Sequence, residues 1–159
     1  VKPIALTQGQ VSIVDDEDAD LASLNWCATK HKNGKTFYAK RGFHDDQGGQ
    51  VTQLLHRVVA GRMGIDGEVD HKDHDGLNNR RSNLRSATSQ QNKANQGLRL
   101  DNTSGVKGVS WCKQTGKWRA KIKVNGQTRH LGRFDDKQLA EATVRDAREK
   151  TFGEFACHG

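Results

Sequence analysis

The clearest periodicity in the chain is Lys117-Trp118-Arg119-Ala120-Lys121-Ile122-Lys123-Val124, where cations and apolar residues alternate without a break. A period of two marks a half-buried strand. Trp118, Ala120, Ile122 and Val124 face a core, with Trp118 read as part of it. Lys117, Arg119, Lys121 and Lys123 share the other face. Asn125-Gly126 follows as a hairpin turn, so strands are predicted at 128–133 and, before the alternation, at 107–111. From Asp135-Asp136 the period lengthens. Leu139, Ala140, Ala142, Val144 and Ala147 give one apolar side to a helix ending near 151.

The rest of the chain is less regular. Strands are expected at 4–6 and 11–14, with a turn at 8–10. The acids at 15–18 sit where a helix start favours them and are read as a solvated cap. Residues 26–29 and 36–39 suggest a hairpin across Lys32-Asn33-Gly34-Lys35. A strand at 51–55 and a short helix at 57–63 come next. A further strand delivers Asp70-His71, a polar loop spans 72–79, and a second strand surrounds Leu84. Ser89-Gln90-Gln91-Asn92 begins a helix with Thr88 or Ser89 as cap, 97–103 reads as linker, and 101–105 is turn-rich. The expected class is α+β. Its segments are a β-rich support at 1–50, a functional unit at 51–98, a linker at 99–105 and a sheet-and-helix domain at 106–159.

Only 33% of residues are hydrophobic and 28% are charged, so each core must be small. The net charge of +7 is unevenly spread. Residues 1–50 carry 6 basic and 7 acidic side chains, 51–100 carry 8 and 5, and 101–159 carry 12 and 7. Eight Lys or Arg and no acid lie from Lys107 to Arg133, a surface suited to a polyanion. Cys27, Cys112 and Cys157 form no CxxC pair, which speaks against a disulfide framework or structural zinc and for reducing cytoplasm. No apolar run reaches membrane-span length and no leader pattern opens the chain.

Candidate chemistry concentrates at 69–96. Asp70-His71 is followed by Asn83 after twelve positions and by Asn92 nine further on. A histidine near neutral pKa can take a proton from water, while carboxylate and amide oxygens suit a hard divalent ion. Those residues, with Leu55-His56-Arg57-Val58-Val59-Ala60 before them and Leu77-Asn78-Asn79-Arg80-Arg81-Ser82-Asn83-Leu84 between, resemble the HNH nucleases of phage and intron homing endonucleases. The resemblance implies a ββα-metal unit and hydrolysis of DNA phosphodiesters. It implies Asp70 and Asn92 as ligands of one Mg²⁺ or Mn²⁺, His71 as base, and Asn83 as the amide that supports it. Asn95 and Gln96 share a helix face with Asn92, so only the family spacing selects it. Asp73 and His74 are read as solvated. Arg57 is open to two readings, a phosphate contact or a pairing with an acid.

Residues 104–156 resemble a second family, the Apetala-two domain of plant ethylene-response factors. The likeness rests on Gly108-Val109, Gly116-Lys117-Trp118, Ile122, Leu131-Gly132 and Phe134-Asp135. It implies a three-stranded sheet on one helix that reads double-stranded DNA. The groove-facing positions carry over to Lys107, Ser110, Lys121, Lys123, Thr128 and His130. Lys117 and Arg119 lie on the same strand, and Trp111 is open to a core or a DNA role. The plant pattern has Arg, Arg, Glu, Arg, Arg and Trp at those six, and the loop from Trp111 is one residue longer here, so a different target is expected. The whole reads as a DNA endonuclease acting inside a phage-infected cell, in its cytoplasm or nucleoid, as a monomer that nicks one strand. The rival readings are a DNA-binding regulator with a silent nuclease motif and a packaging accessory.

Overall fold

β1 (Lys2–Ala5) and β2 (Val11–Val14) pair antiparallel, with Lys2 opposite Val14. β3 (Cys27–Lys30), β4 (Phe37–His44) and β5 (Gln50–Leu54) form a second antiparallel sheet in that order. α1 (Leu55–Arg62) leaves β5 without a break, and β6 (Glu68–His71) pairs antiparallel with β7 (Leu84–Ala87). The two-stranded sheets are too small to be stable alone. These elements share one core of Ile4, Val14, Leu21, Trp26, Ala39, Leu55, Val59, Ala60, Val69 and Leu84. The N-terminal strands and the Asp70-His71 hairpin are therefore one folding body. Trp26 is buried in it, and its Nε1–H finds the Leu21 carbonyl at 2.9 Å.

The computed structural model describes residues 1–30, 36–99 and 101–158. The turn expected at Lys32-Asn33-Gly34-Lys35 lies outside them. The chain divides into two units, Val1–Thr88 and Ser89–Gly159.

The acid run departs from expectation. It opens a 3-10 segment, Asp16–Ser23, and Asp18 within it is fully buried. Arg62, at the end of α1, donates to Asp18 Oδ1 at 3.1 Å, and Arg81 donates to its Oδ2 at 2.8 Å. Asp15 Oδ2 accepts the Arg81 backbone N–H at 2.8 Å. Two cations distant in sequence converge on a local acid cluster, which no one-dimensional reading could reveal.

The second unit begins with α2 (Ser89–Asn95). β8 (Val109–Cys112), β9 (Lys117–Val124) and β10 (Gln127–Phe134) make an antiparallel sheet in the order β10-β9-β8. α3 (Lys137–Phe152) covers one face of it, over Val106, Val109, Ala120, Ala140 and Val144. β9 has the bounds of the alternating run, because its burial follows the pattern that predicts it. Asn125 and Gly126 take φ of 50° and 78°, as a tight two-residue hairpin requires. Asp136 caps α3, accepting from Gln138 N at 2.8 Å. The register shifts between His130 and Gly132, and this bulge brings Arg133 opposite Arg119. α2 is short, and the Ala94 carbonyl near its end is held by Lys107 Nζ at 3.0 Å and Arg148 Nη2 at 2.8 Å. The architecture is mixed α and β with small antiparallel sheets, and no helix among the described residues is long and apolar enough to cross a membrane.

Gly108 is the tightest point of the second unit. Its φ is +79°, and an added Cβ would strike the Lys121 carbonyl. Gly108→Ala is expected to destabilise this unit by about 1–3 kcal/mol through strain and crowding. The checking measurement is urea denaturation followed by the fluorescence of Trp111 and Trp118. An unchanged midpoint would contradict the tight packing.

Candidate functional site

β6 ends at His71, where the chain turns. His71 O accepts His74 N at 3.2 Å, and Lys72 N donates to Asn83 O at 3.0 Å. The loop that follows is drawn onto β2. Ile13 N donates to Leu77 O and Asn79 N to Ile13 O, each at 2.9 Å. Ser12, fully buried, donates from Oγ to Leu77 O at 2.8 Å. The N-terminal strands thus brace the loop that carries the site's amides.

That bracing decides the state of His71. Asn79 is fully buried and donates from Nδ2 to Ser12 Oγ at 2.7 Å. Its Oδ1 is thereby turned to His71 Nε2, 3.0 Å away. An amide oxygen accepts only, so the imidazole proton sits on Nε2 and the lone pair on Nδ1. Burial pushes the His71 pKa below the usual histidine range, against the pull of the Asn79 bond and of Asp73, Asp70 and Asp75. The neutral form of the ring is therefore favoured.

Asp70 is 5% exposed and lies opposite Arg85 across the hairpin. Arg85 Nε and Nη2 both reach Asp70 Oδ2 at 2.9 Å. Tyr38 and His56 close the other side of His71, with ring centroids 6.0 and 5.2 Å from it. Burial and the Asp70 charge push the Tyr38 hydroxyl above its ordinary pKa.

Asn83 holds the loop. Its Nδ2 donates to Asp73 Oδ1 at 2.9 Å and to Asn78 O at 2.8 Å, and its Oδ1 accepts Asp73 N at 3.2 Å. Asp73 is exposed, as is His74, yet it also accepts from Asn78 Nδ2 at 2.6 Å. Burial would raise its pKa, but bonds from Asp75 N, Asn78 and Asn83 outweigh that and hold it low. Arg57 donates to the Gly67 carbonyl. Asn92 is half-buried on α2, in the second unit.

Asn79, His56, Tyr38 and Arg85 carry no role in the sequence reading. Spacing alone does not tell which of several amides meets the imidazole. Cross-strand pairing of Asp70 with Arg85 is visible only once the register is fixed.

In the second unit, cross-strand pairs place Ser110, Arg119, Lys121, Lys123, Thr128, His130 and Arg133 on one face of the sheet. Thr128, His130, Lys123 and Arg133 are exposed there. Lys117 shares that parity and pairs with Asp135 at 3.0 Å. Trp111 lies opposite Trp118, on the helix-side face, 47% exposed and edge-on to it at 5.1 Å. Lys107 is turned toward Ala94, and burial pushes its ammonium down to about 8.

Among the described residues no three of His, Cys, Asp and Glu gather into a cation cage. In the first unit the buried carboxylate of Asp70, held by Arg85, neighbours the His71 imidazole. That donor set fits a hard divalent ion that takes its remaining ligands from phosphate oxygens and water, as Mg²⁺ does.

A buried histidine next to a carboxylate, on a hairpin locked by amides, sets a group able to accept a proton beside one able to hold a cation. Residues 53–94 match the HNH endonuclease family, and the chain belongs to it. It is 36% identical over 107 residues to an uncharacterized HNH endonuclease, L560, of Acanthamoeba polyphaga mimivirus, covering 64% of this chain and 54% of that protein. It is 35% identical over 88 residues to Protein 3.8 of Escherichia phage T7, covering 55% of this chain and 72% of that protein. The chain thus spans about half the length of the mimivirus relative.

Proposed function

We propose that this protein is a metal-dependent, site-specific DNA endonuclease of the homing type, which nicks one strand of double-stranded DNA as a monomer. The observation that carries the reading is the bond from His71 Nε2 to Asn79 Oδ1, which puts the ring proton on Nε2 and the lone pair on Nδ1. His71 Nδ1 takes the proton of the attacking water. Asn79, Asn83 and Ser12 fix the ring and loop so that no reorganisation is needed during the reaction. A bound Mg²⁺ or Mn²⁺ would neutralise charge on the phosphate and the leaving oxygen. Asp70 and, on α2, Asn92 are the residues that would hold it, as the carboxylate and amide of the family motif.

The second unit is read as the DNA-binding module, with an Apetala-two-like sheet. Ser110, Arg119, Lys121, Lys123, Thr128 and His130 face the groove, and the bulge adds Arg133 to that stripe. Lys107, Lys117, Trp111 and Arg57 have the protein partners or placements described above, so they are weaker members of the set. The basic stripe on a single sheet supports binding to an asymmetric site.

Incubation of supercoiled plasmid with Mg²⁺ or Mn²⁺ tests the reading. Open circles are expected first and linear DNA later, with EDTA abolishing both. An intact plasmid in either metal would leave a DNA-binding regulator instead. Direct linear product, rising with the square of protein concentration, would replace the monomer by a dimer. Lys121→Ala with Lys123→Ala is expected to weaken duplex binding and lower the salt slope by about one unit per lost phosphate contact. Fluorescence anisotropy across a salt series measures this, and an unchanged slope would remove the stripe from the interface.

A further inference from the structure

His56 is the second residue of α1 and sits against the site without a role in the account above. It is 8% exposed, with its ring tilted 76° to that of His71 at a centroid distance of 5.2 Å and 60° to that of Tyr38 at 5.6 Å. Its Nδ1 is fully enclosed and has no hydrogen-bond partner. A phenylalanine would fill the same space without leaving a buried polar atom unmatched, which is costly. A group kept under such a penalty points to use rather than packing.

The ring's tautomer follows from the same fact. An enclosed unpaired lone pair is better tolerated than an enclosed unpaired N–H. The proton therefore belongs on Nε2, which is left as a donor for a ligand. Two imidazoles 5.2 Å apart can serve one tetrahedral phosphate, one holding the attacking water and the other an oxygen of the phosphate.

We propose that His56 is a further catalytic residue, a neutral donor whose Nε2–H binds a non-bridging oxygen of the phosphate being cut. This rests on the nuclease reading above. The enclosure that strands Nδ1 also pushes the pKa of His56 down to about 3, with His71, once protonated, and Arg57 adding to it. The ring is therefore an uncharged donor and not an imidazolium acid in the neutral range. The division of labour is asymmetric: His71 accepts a proton at Nδ1, and His56 offers one hydrogen bond without giving its proton up.

The test uses the full chain as wild type, His56→Phe and His56→Gln, each first shown to unfold cooperatively at a similar urea midpoint. Phe keeps the ring and removes the donor, whereas Gln keeps a neutral donor. In plasmid nicking with Mn²⁺, His56→Phe is expected to lower kcat about a hundred-fold with KM for DNA within about two-fold. His56→Gln is expected to recover at least about ten-fold of that loss, as a retained donor should. Long-range ¹⁵N–¹H spectra of the wild type should show His56 protonated at Nε2 and bare at Nδ1. Full activity of the Phe variant, a Gln variant no better than Phe, or a bare Nε2 would each overturn the proposal. A wild type that does not nick DNA in either metal would instead overturn the nuclease reading, and this proposal with it.

Discussion

His71→Ala is expected to slow plasmid nicking by about a hundred-fold or more, while duplex affinity stays within about two-fold. The base acts only as the water is deprotonated, so its loss falls on kcat. The pH profile of the wild type supplies a second check. Because burial holds His71 below the ordinary histidine pKa, the ring keeps its neutral form to lower pH than a free imidazole. Activity should persist at pH 6.5 and decline only as the pH falls further and the ring takes a proton. His71→Ala should lose that acid limb along with its rate. A variant that nicks normally, or a wild type already half inactive above pH 7, would remove His71 from the role of base.

Asp18→Ala is expected to cost about 3 kcal/mol of stability in the first unit, the low end for removing one partner of a buried ion pair. Arg62 and Arg81 are each about one-third exposed and can be partly rehydrated, which keeps the figure at that end. For a small domain this is a large share of the total. Urea denaturation should show a lower midpoint with an unchanged slope. The pH dependence has a definite sign. The Arg81 bond, then that of Arg62, holds the Asp18 carboxyl below 3.8 despite its burial. Its contribution is fully present above that value and is lost as the pH falls through the folded-state pKa. His56 acts in a higher window. Folded, it stays neutral down to about 3, whereas the unfolded chain protonates it below 6.5. Stability should therefore begin to fall below pH 6.5, and His56→Phe should shrink that first phase, to which the depressed pKa of His71 also contributes. An Asp18→Ala protein as stable as the wild type would show that the two arginines do not depend on it.

Much of this was legible in the sequence, for physical reasons that differ by place. β9 and the hairpin after it can be read because alternation and Asn125-Gly126 are local signals. The strand ending at His71 and the loop before Asn83 follow from a dense motif, and the family match at 53–94 covers both. What escaped is set by contacts between distant segments. Nothing in Ser12 or Asn79 announces that one will orient the other, 67 positions apart, and through it His71. Asp18 reads as a solvated acid until Arg62 and Arg81 are seen to enclose it. His56 reads as part of a lead-in to a helix until its ring is found against His71. The acidic N-terminal stretch, which reads as a solvated cap, holds Arg81 of the site loop instead.

The paired grip of Lys107 and Arg148 on the Ala94 carbonyl bears on how such proteins can be recombined. The matched family segment stops at residue 94, and the turn-rich stretch after it looks like a natural seam for grafting a new C-terminal module. A graft joined there would discard both cations and leave the final carbonyls of a two-turn helix bare. Chimeras should therefore inherit residues 89–159 as a single cassette, or carry matching basic side chains in the incoming module. The heritable block is defined by who terminates the helix, not by where the motif ends.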